Sequence, residues 1–511
     1  MSQAATARAS SSGPGARDAA APPARDRLWI AFAALALVAS VLLAGIGPLL
    51  DPDEGRNAEV AREMLQGGDW QVPHLAGMAY LDKPPALFWA ESAAMSVAGV
   101  NRRAARLPAA LAGFALLLAF GALAARRRDP AFARAVVALA AAAPLYAVLS
   151  AYVIFDMPLA LCVGLVIVGL VDELESGPSF ARRLAMFAAV AAGVLVKGPV
   201  MLAWAAGGSL AAALLVRTRA PLAWLAWWPG WLVALGVPGA WFALATRRFP
   251  EYPHYAFLEE SLERMATGHF HRGHGWWFVP AVLVAGALPW SLATPWARLR
   301  APDRADRVML GFVAFAAVFF TLSQSKLVTY LLPVVPPLAW LAARAGAGRR
   351  GFLRIGYAPA FTVALLIAGG PWLLRYARSQ SGEPLAAAIH ARAPGAAVVF
   401  EDCWSPGTDF ALGRSSAIVA ADPHVTTSTY QARYREALER RGQWTLRAAA
   451  APGGPGAPAA GAPAAAPAGS GARDSMVVLV TPARSPGRTG IPIFTDGRFH
   501  AALVRACSVP E

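Results

Sequence analysis

The side chains best suited to chemistry first gather between Asp51 and Pro85, in the stretch DPDEGRNAEVAREMLQGGDWQVPHLAGMAYLDKPP. Asp53 and Glu54 are neighbouring carboxylates, a residue type that accepts a proton or steadies a developing positive charge. Arg56 and Lys83 are cations suited to an anionic group, above all a phosphate whose charge grows as a bond to it breaks. Asp82 beside Lys83 adds an oxygen donor. Further along come Asp156 in YVIFDMPL, Lys197 in VKGP, a histidine-rich loop with His269, His271, Arg272 and His274, and Lys326 with Tyr330 in SKLVTYLLP. Each residue taken alone has a structural alternative. Asp53 and Asp156 are also helix caps in type, Lys83 and Arg272 can snorkel to headgroups, and Tyr330 suits an interfacial aromatic belt.

The elements that must position these residues are set by hydrophobicity. The chain has 511 residues, of which 57% are hydrophobic and only 15% charged, a composition outside the soluble range. Long apolar runs repeat along it, beginning with 28–50, and imply a polytopic helical membrane protein. The formal charge of +15 then reads as arginines facing the cytoplasm rather than as a nucleic-acid surface, and nucleic acid is excluded as a partner. Three cysteines are too few for a disulfide scaffold, although Cys403 and Cys507 could pair in an oxidising compartment. No Gly-rich nucleotide fingerprint or phosphate loop occurs.

Within the charged stretch, Asp51 and Glu54 read as a helix start with Pro52 in the first turn, and Gly67-Gly68 as its stop. An ion pair of Arg56 with Glu59 or Glu63 is expected on that helix. Residues 86–100 are short, carry Glu91, and are read as an interfacial helix rather than a span. Counting from a cytoplasmic N-terminus, about eleven spans then place the arginine clusters on the inner side. The same count brings the candidate residues to the outer face. The expected organisation is a disordered cytoplasmic tail over 1–26, a transmembrane domain over 27–373, and a periplasmic domain over 374–511. Alternating apolar segments at 397–400 and 476–480 make this last part a small α/β domain, interrupted by a disordered Gly/Ala/Pro tract at 448–472.

The ordered blocks DPDEGRNAEVAREM, GDWQVPHL and YLDKPP resemble the first outer loop of bacterial lipid A aminoarabinose transferases. The resemblance extends over roughly residues 28–345 and leaves the C-terminal region without a counterpart. It implies the GT-C membrane fold, shared with protein O-mannosyltransferases. It also implies a glycosyltransferase of the bacterial inner membrane with its active site facing the periplasm. Such an enzyme moves 4-amino-4-deoxy-L-arabinose, or a similar sugar, from undecaprenyl phosphate to a lipid A phosphate, with inversion.

On this resemblance Asp53 and Asp156 are the catalytic carboxylates. Glu54, Arg56, Lys83, Lys197, Arg272, Lys326 and Tyr330 bind substrate. Asp82 and His271 match positions associated with a divalent metal, zinc by preference, although Asp82 stands where the family commonly has glutamate. The expected partners are the polyprenyl-phosphate-linked sugar donor, a lipid A or other periplasmic acceptor, and membrane lipids. The main alternative is an O-mannosyltransferase in which Asp53 deprotonates a Ser or Thr hydroxyl. A flippase or transporter would place its charges mid-span in repeated halves, and no such halves are visible. A non-catalytic assembly subunit is the remaining alternative.

Overall fold

A computed structural model describes residues 27–263, 274–346, 349–446, 476–484 and 491–505. The expected tail over 1–26, the tract at 448–472, Cys507, and the loop residues His269, His271 and Arg272 lie outside them. Each of the expected spans is helical. Among the described residues six helices are long and apolar enough to cross a bilayer: Arg102–Arg127, Asp156–Ser176, Trp228–Arg248, Arg304–Leu322, Val328–Ala345 and Tyr357–Ser379. Leu28–Ala44, Phe180–Lys197 and Val200–Val216 are shorter or more charged, and two further segments are broken. Pro130–Ala142 is followed by a new helix starting at Pro144, and Phe278–Ala285 by a short one at Trp290. The chain is a multi-pass helical membrane protein with a small C-terminal sheet region.

The Arg102–Arg127 helix is the hub, packing against Leu28–Ala44, Pro130–Ala142 and Asp156–Ser176. Asn101 caps it, accepting from the amides of Arg103 and Ala104 at 3.0 Å each. Val200–Val216 packs extensively against Arg304–Leu322. There a Cβ on Gly311 would lie 2.6 Å from the Ala212 backbone, so only glycine allows the approach. Ala86–Ala98 spans thirteen residues, about 20 Å at 1.5 Å per residue, too short to cross and consistent with an interfacial helix.

The Asp53–Gly67 helix lies between the membrane bundle and the C-terminal domain. Gly68 ends it in a left-handed conformation, φ 72°, as the Gly-Gly pair predicts. Its start differs from expectation. Asp51 does not cap the helix; it accepts from the Ser405 hydroxyl at 2.5 Å and the Gly407 amide at 3.0 Å, clasping the C-terminal domain. Gly55 makes this possible, since a Cβ there would fall 2.8 Å from the Gly407 nitrogen. Glu63 receives the amides of Ala76 and Gly77 at 2.8 and 3.0 Å. It thereby holds a two-residue-per-strand hairpin, β1 (His74–Leu75) and β2 (Met78–Ala79), which delivers the chain to Asp82.

Among the described residues the C-terminal domain carries one sheet of five strands, β3 (Ala397–Glu401), β4 (Ala417–Val419), β5 (Met476–Pro482), β6 (Ile491–Thr495) and β7 (Phe499–Arg505). Their order is β4-β3-β5-β7-β6, parallel across the first three and antiparallel thereafter. The apolar runs AVVF and MVVLV form the two central parallel strands, as expected for strands covered on both faces.

Candidate active site

A groove of about 1160 Å³, counting its open mouth, enters the bundle beneath the hairpin loop. Val194, Leu195, Val200, Trp204, Phe319 and Phe320 make one apolar wall. The polar end is lined by Asp82, Lys83, Asp156, Lys197, Glu260 and Tyr330. Five of these six were singled out from sequence, and they come from segments far apart in the chain.

Two ion pairs organise the polar end. Lys197, the last residue of its helix, donates to Asp156 Oδ1 at 2.6 Å. Asp156 opens the Asp156–Ser176 helix, where a negative charge is favoured by the backbone dipole. It makes no capping hydrogen bond, and its partner is Lys197. The Lys197 ammonium also sits 4.6 Å from the centre of the Tyr330 ring, a cation–π contact. The second pair is Lys83 with Glu260, Lys83 donating in addition to the Asp82 carbonyl at 2.9 Å. Lys83 is thus held by a carboxylate 177 positions away in sequence, rather than merely by the adjacent prolines.

Asp82 is largely committed. Its Oδ1 accepts from the Tyr255 hydroxyl at 2.7 Å and the Tyr430 amide at 2.8 Å, and Oδ2 accepts from the Thr429 amide at 3.1 Å. It caps the start of a C-terminal-domain helix, at Thr429–Arg433, from across the interface. Three of the roughly four acceptor sites of its carboxylate are thereby filled. Its expected partner His271 lies outside the described residues, among which no group of three or more metal-ligating side chains occurs. The expected zinc pairs Asp82 with a residue outside the described ones, and no step below runs through a metal.

Asp53 does not line the groove. It stands at the start of the Asp53–Gly67 helix, 60% exposed, and is paired to Arg56 at 2.8 Å. The expected pairing of Arg56 with Glu59 or Glu63 does not form, because Glu59 is bonded to Arg62 (Nε to Oε2, 2.7 Å) and Glu63 holds the hairpin. Arg56 also donates to Thr427 Oγ1 at 3.2 Å and lies 6.0 Å from the Tyr80 ring. Burial alone would lower its pKa, but the charges of Tyr80, Asp53 and Asp82 outweigh this and raise it.

Glu54 is a correction to the sequence reading. It is fully buried and accepts from Arg106 Nε at 2.7 Å and Nη2 at 2.6 Å, and from the amides of Leu50 and Val153. No face of it is left for substrate. Lys326 is buried as well, with its ammonium donating to the Ser323 carbonyl at 2.5 Å, one step behind the groove wall. Glu260 was missed from sequence, as was the aromatic wall of Trp241, Phe242, Tyr252 and Phe257. The histidines of that loop drew attention, while the adjacent acidic pair in YAFLEES was the signal.

Comparison with known proteins identifies the family and the fold. Residues 82–241 match the family model described as dolichyl-phosphate-mannose-protein mannosyltransferase. Undecaprenyl phosphate-alpha-4-amino-4-deoxy-L-arabinose arabinosyl transferase 1 of Sodalis glossinidius is 32% identical over 379 residues, covering 68% of this chain and 67% of that one. The chain belongs to this arabinosyltransferase family. A second member, from Pseudomonas paraeruginosa, is 33% identical over 315 residues, and the chain spans 55% of its length. Among solved structures, ArnT from Cupriavidus metallidurans bound to undecaprenyl phosphate superposes with a TM-score of 0.74 at 21% identity. That match covers 94% of this chain and 99% of the other, so the family fold takes in the C-terminal domain, for which the sequence offered no counterpart.

Proposed function

We propose that this protein is a glycosyltransferase that moves 4-amino-4-deoxy-L-arabinose from undecaprenyl phosphate to a phosphate of lipid A. The reaction takes place at the periplasmic face of the inner membrane. The observation that carries this reading is the continuity of an apolar groove with two lysines, Lys83 and Lys197, at its polar end. A polyprenyl tail suits the apolar wall, and its phosphate then meets the ammonium groups.

In the reaction an oxygen of the acceptor phosphate attacks the anomeric carbon. The bond from that carbon to the donor phosphate oxygen breaks, and the electron pair leaves with the phosphate. Negative charge therefore grows on the leaving group, where fixed cations lower the barrier. The anomeric carbon passes through an oxocarbenium-like state that nearby carboxylates stabilise, and attack from the opposite face inverts it. An acceptor phosphate is already anionic, so no general base is required. Asp156 supports Lys197.

The test is transfer by purified protein from synthetic undecaprenyl-phosphate aminoarabinose to lipid A, read by mass spectrometry. A gain of one aminopentose on lipid A is the expected result. Transfer to Ser/Thr peptides with none to lipid A would replace this reading with an O-glycosyltransferase.

A further inference from the structure

Lys83 extends from a segment too short to hold its own shape. Between the Asp53–Gly67 and Ala86–Ala98 helices the described pairing is one hairpin of two residues per strand, and such a hairpin is marginal by itself. Its exit, from Met78 to Leu81, is nonetheless fully buried. What fastens this exit comes from the C-terminal domain.

Gln431 is fully buried and donates from Nε2 to the carbonyls of Leu75, Met78 and Ala79 at 3.0, 3.4 and 3.3 Å. Leu75 and Met78 face each other across the hairpin, so one amide group holds both of its strands. Its Oε1 is buried with no hydrogen-bond partner among the described residues. An unpaired buried oxygen is costly, so the N–H groups are what the side chain contributes here. Three residues beyond Ala79, the Asp82 carboxylate receives the Thr429 and Tyr430 amides at 3.1 and 2.8 Å. Ser428 Oγ in turn accepts from the Gln431 amide at 3.2 Å, so a single helical turn presents both holds. The same turn reaches the loop on the other side of the groove, where the Tyr430 hydroxyl donates to Glu251 at 2.7 Å.

We propose that Gln431 is a positioning residue for Lys83, which makes the C-terminal domain part of the donor site. The inference rests on the functional reading above, in which Lys83 meets the donor phosphate. Gln431 is absent from the groove lining and touches no reacting atom. It fixes the backbone on either side of the hairpin turn, and the hold on Asp82 fixes the residue next to Lys83. The ammonium is then already in place where charge grows on the leaving phosphate, and no ordering of the loop is left for the moment of reaction.

The experiment is a double-mutant cycle between Gln431→Met and Lys83→Gln on purified full-length protein. Undecaprenyl phosphate binding by calorimetry and transfer to lipid A are measured separately, each per folded molecule. Gln431→Met keeps the length of the side chain and removes its donors. It should weaken binding and lower kcat/KM by about 10- to 100-fold, the scale of a displaced catalytic group. In the Lys83→Gln background the same change should cost less than about 3-fold, because the group it positions is gone. Val478→Ala, in the core of the C-terminal sheet, should lower the melting temperature and leave both readouts within about 3-fold. Thr429→Pro gives a second route should Gln431→Met fail to fold. It deletes one amide held by Asp82, at the first position of a helix, after a residue whose ψ of 121° suits a following proline. Its loss should likewise vanish in the Lys83→Gln background. Losses that add independently to that of Lys83→Gln, or wild-type binding and transfer in the folded variants, would overturn the inference. Coupled losses in undecaprenyl phosphate binding without any transfer to lipid A would uphold it and count against the functional reading alone.

Discussion

Replacing Arg106 by methionine should unfold this protein well before it reveals anything about catalysis. Arg106 uses all five of its guanidinium protons. Nε and Nη2 go to Glu54, Nη1 to the carbonyls of Ala44 and Gly47 at 3.0 and 2.8 Å, and Nη2 also to that of Pro48 at 2.8 Å. It thereby ties the end of the first helix to the start of the Asp53–Gly67 helix. Removing it leaves the Glu54 carboxylate buried with two backbone amides as its only hydrogen-bond donors, and leaves three carbonyls unpaired. Breaking a buried ion pair from one side costs about 3–5 kcal/mol, whereas removing both charges costs far less. Arg106→Met and Glu54→Gln should therefore each lower the melting temperature in detergent sharply. The double variant Glu54→Leu/Arg106→Met should lie above either single one, a coupling that a double-mutant cycle measures. Thermal unfolding by tryptophan fluorescence, with transfer activity measured per folded molecule, provides the readout. A Glu54→Gln protein with an unchanged melting temperature and no transfer would refute this reasoning and return Glu54 to the substrate.

Other consequences are more local. Lys197→Gln, which leaves Asp156 without its counter-ion, should lower kcat/KM for lipid A modification by about 10²–10³, the scale of losing one fixed transition-state partner. Tyr330→Phe keeps the ring face under Lys197 and should stay within about 3-fold of wild type, while Tyr330→Ala should not; equal losses would assign the work to the hydroxyl. Asp82→Ala removes the acceptor for Tyr255 and for two amides of the C-terminal domain. It should cost about 1–3 kcal/mol and speed hydrogen exchange at Thr429 and Tyr430. Burial pushes the Asp409 carboxyl up from 3.8 to about 6, against hydrogen bonds from Ser416 and Trp404. A raised folded-state pKa means that stability present below pH 3.8 is lost as pH rises through 6. The shift of about two units corresponds to about 3 kcal/mol. Between pH 4 and 7 wild type should lose that much stability relative to Asp409→Asn, and parallel denaturation curves for the two proteins would contradict it.

Much of the architecture could be read locally. Apolar run length decides which segments can cross a bilayer, so the order of helices from Arg102 to Ser379 follows from hydrophobicity and from the arginines between runs. The thirteen-residue helix at Ala86 was recognisable by its brevity, the helix stop at Gly68 by the need for a left-handed residue, and β3 and β5 by unbroken apolar strings. Residue types also nominated Lys83, Asp156, Lys197 and Tyr330, because charge beside long apolar runs is expensive unless it has a use.

Partners could not be read this way. Glu54 and Arg106 are 52 positions apart, Lys83 and Glu260 are 177 apart, and Asp82 meets Tyr430 across 348. Local pattern tells which face of an element is buried, but not which distant segment covers it. Whether a carboxylate serves substrate or scaffold depends on that covering. Glu54 and Asp53 are adjacent and chemically alike, yet one is sealed against an arginine and the other faces solvent. A helix turns by 100° per residue, and only the packed bundle and the C-terminal domain above it decide what each side meets.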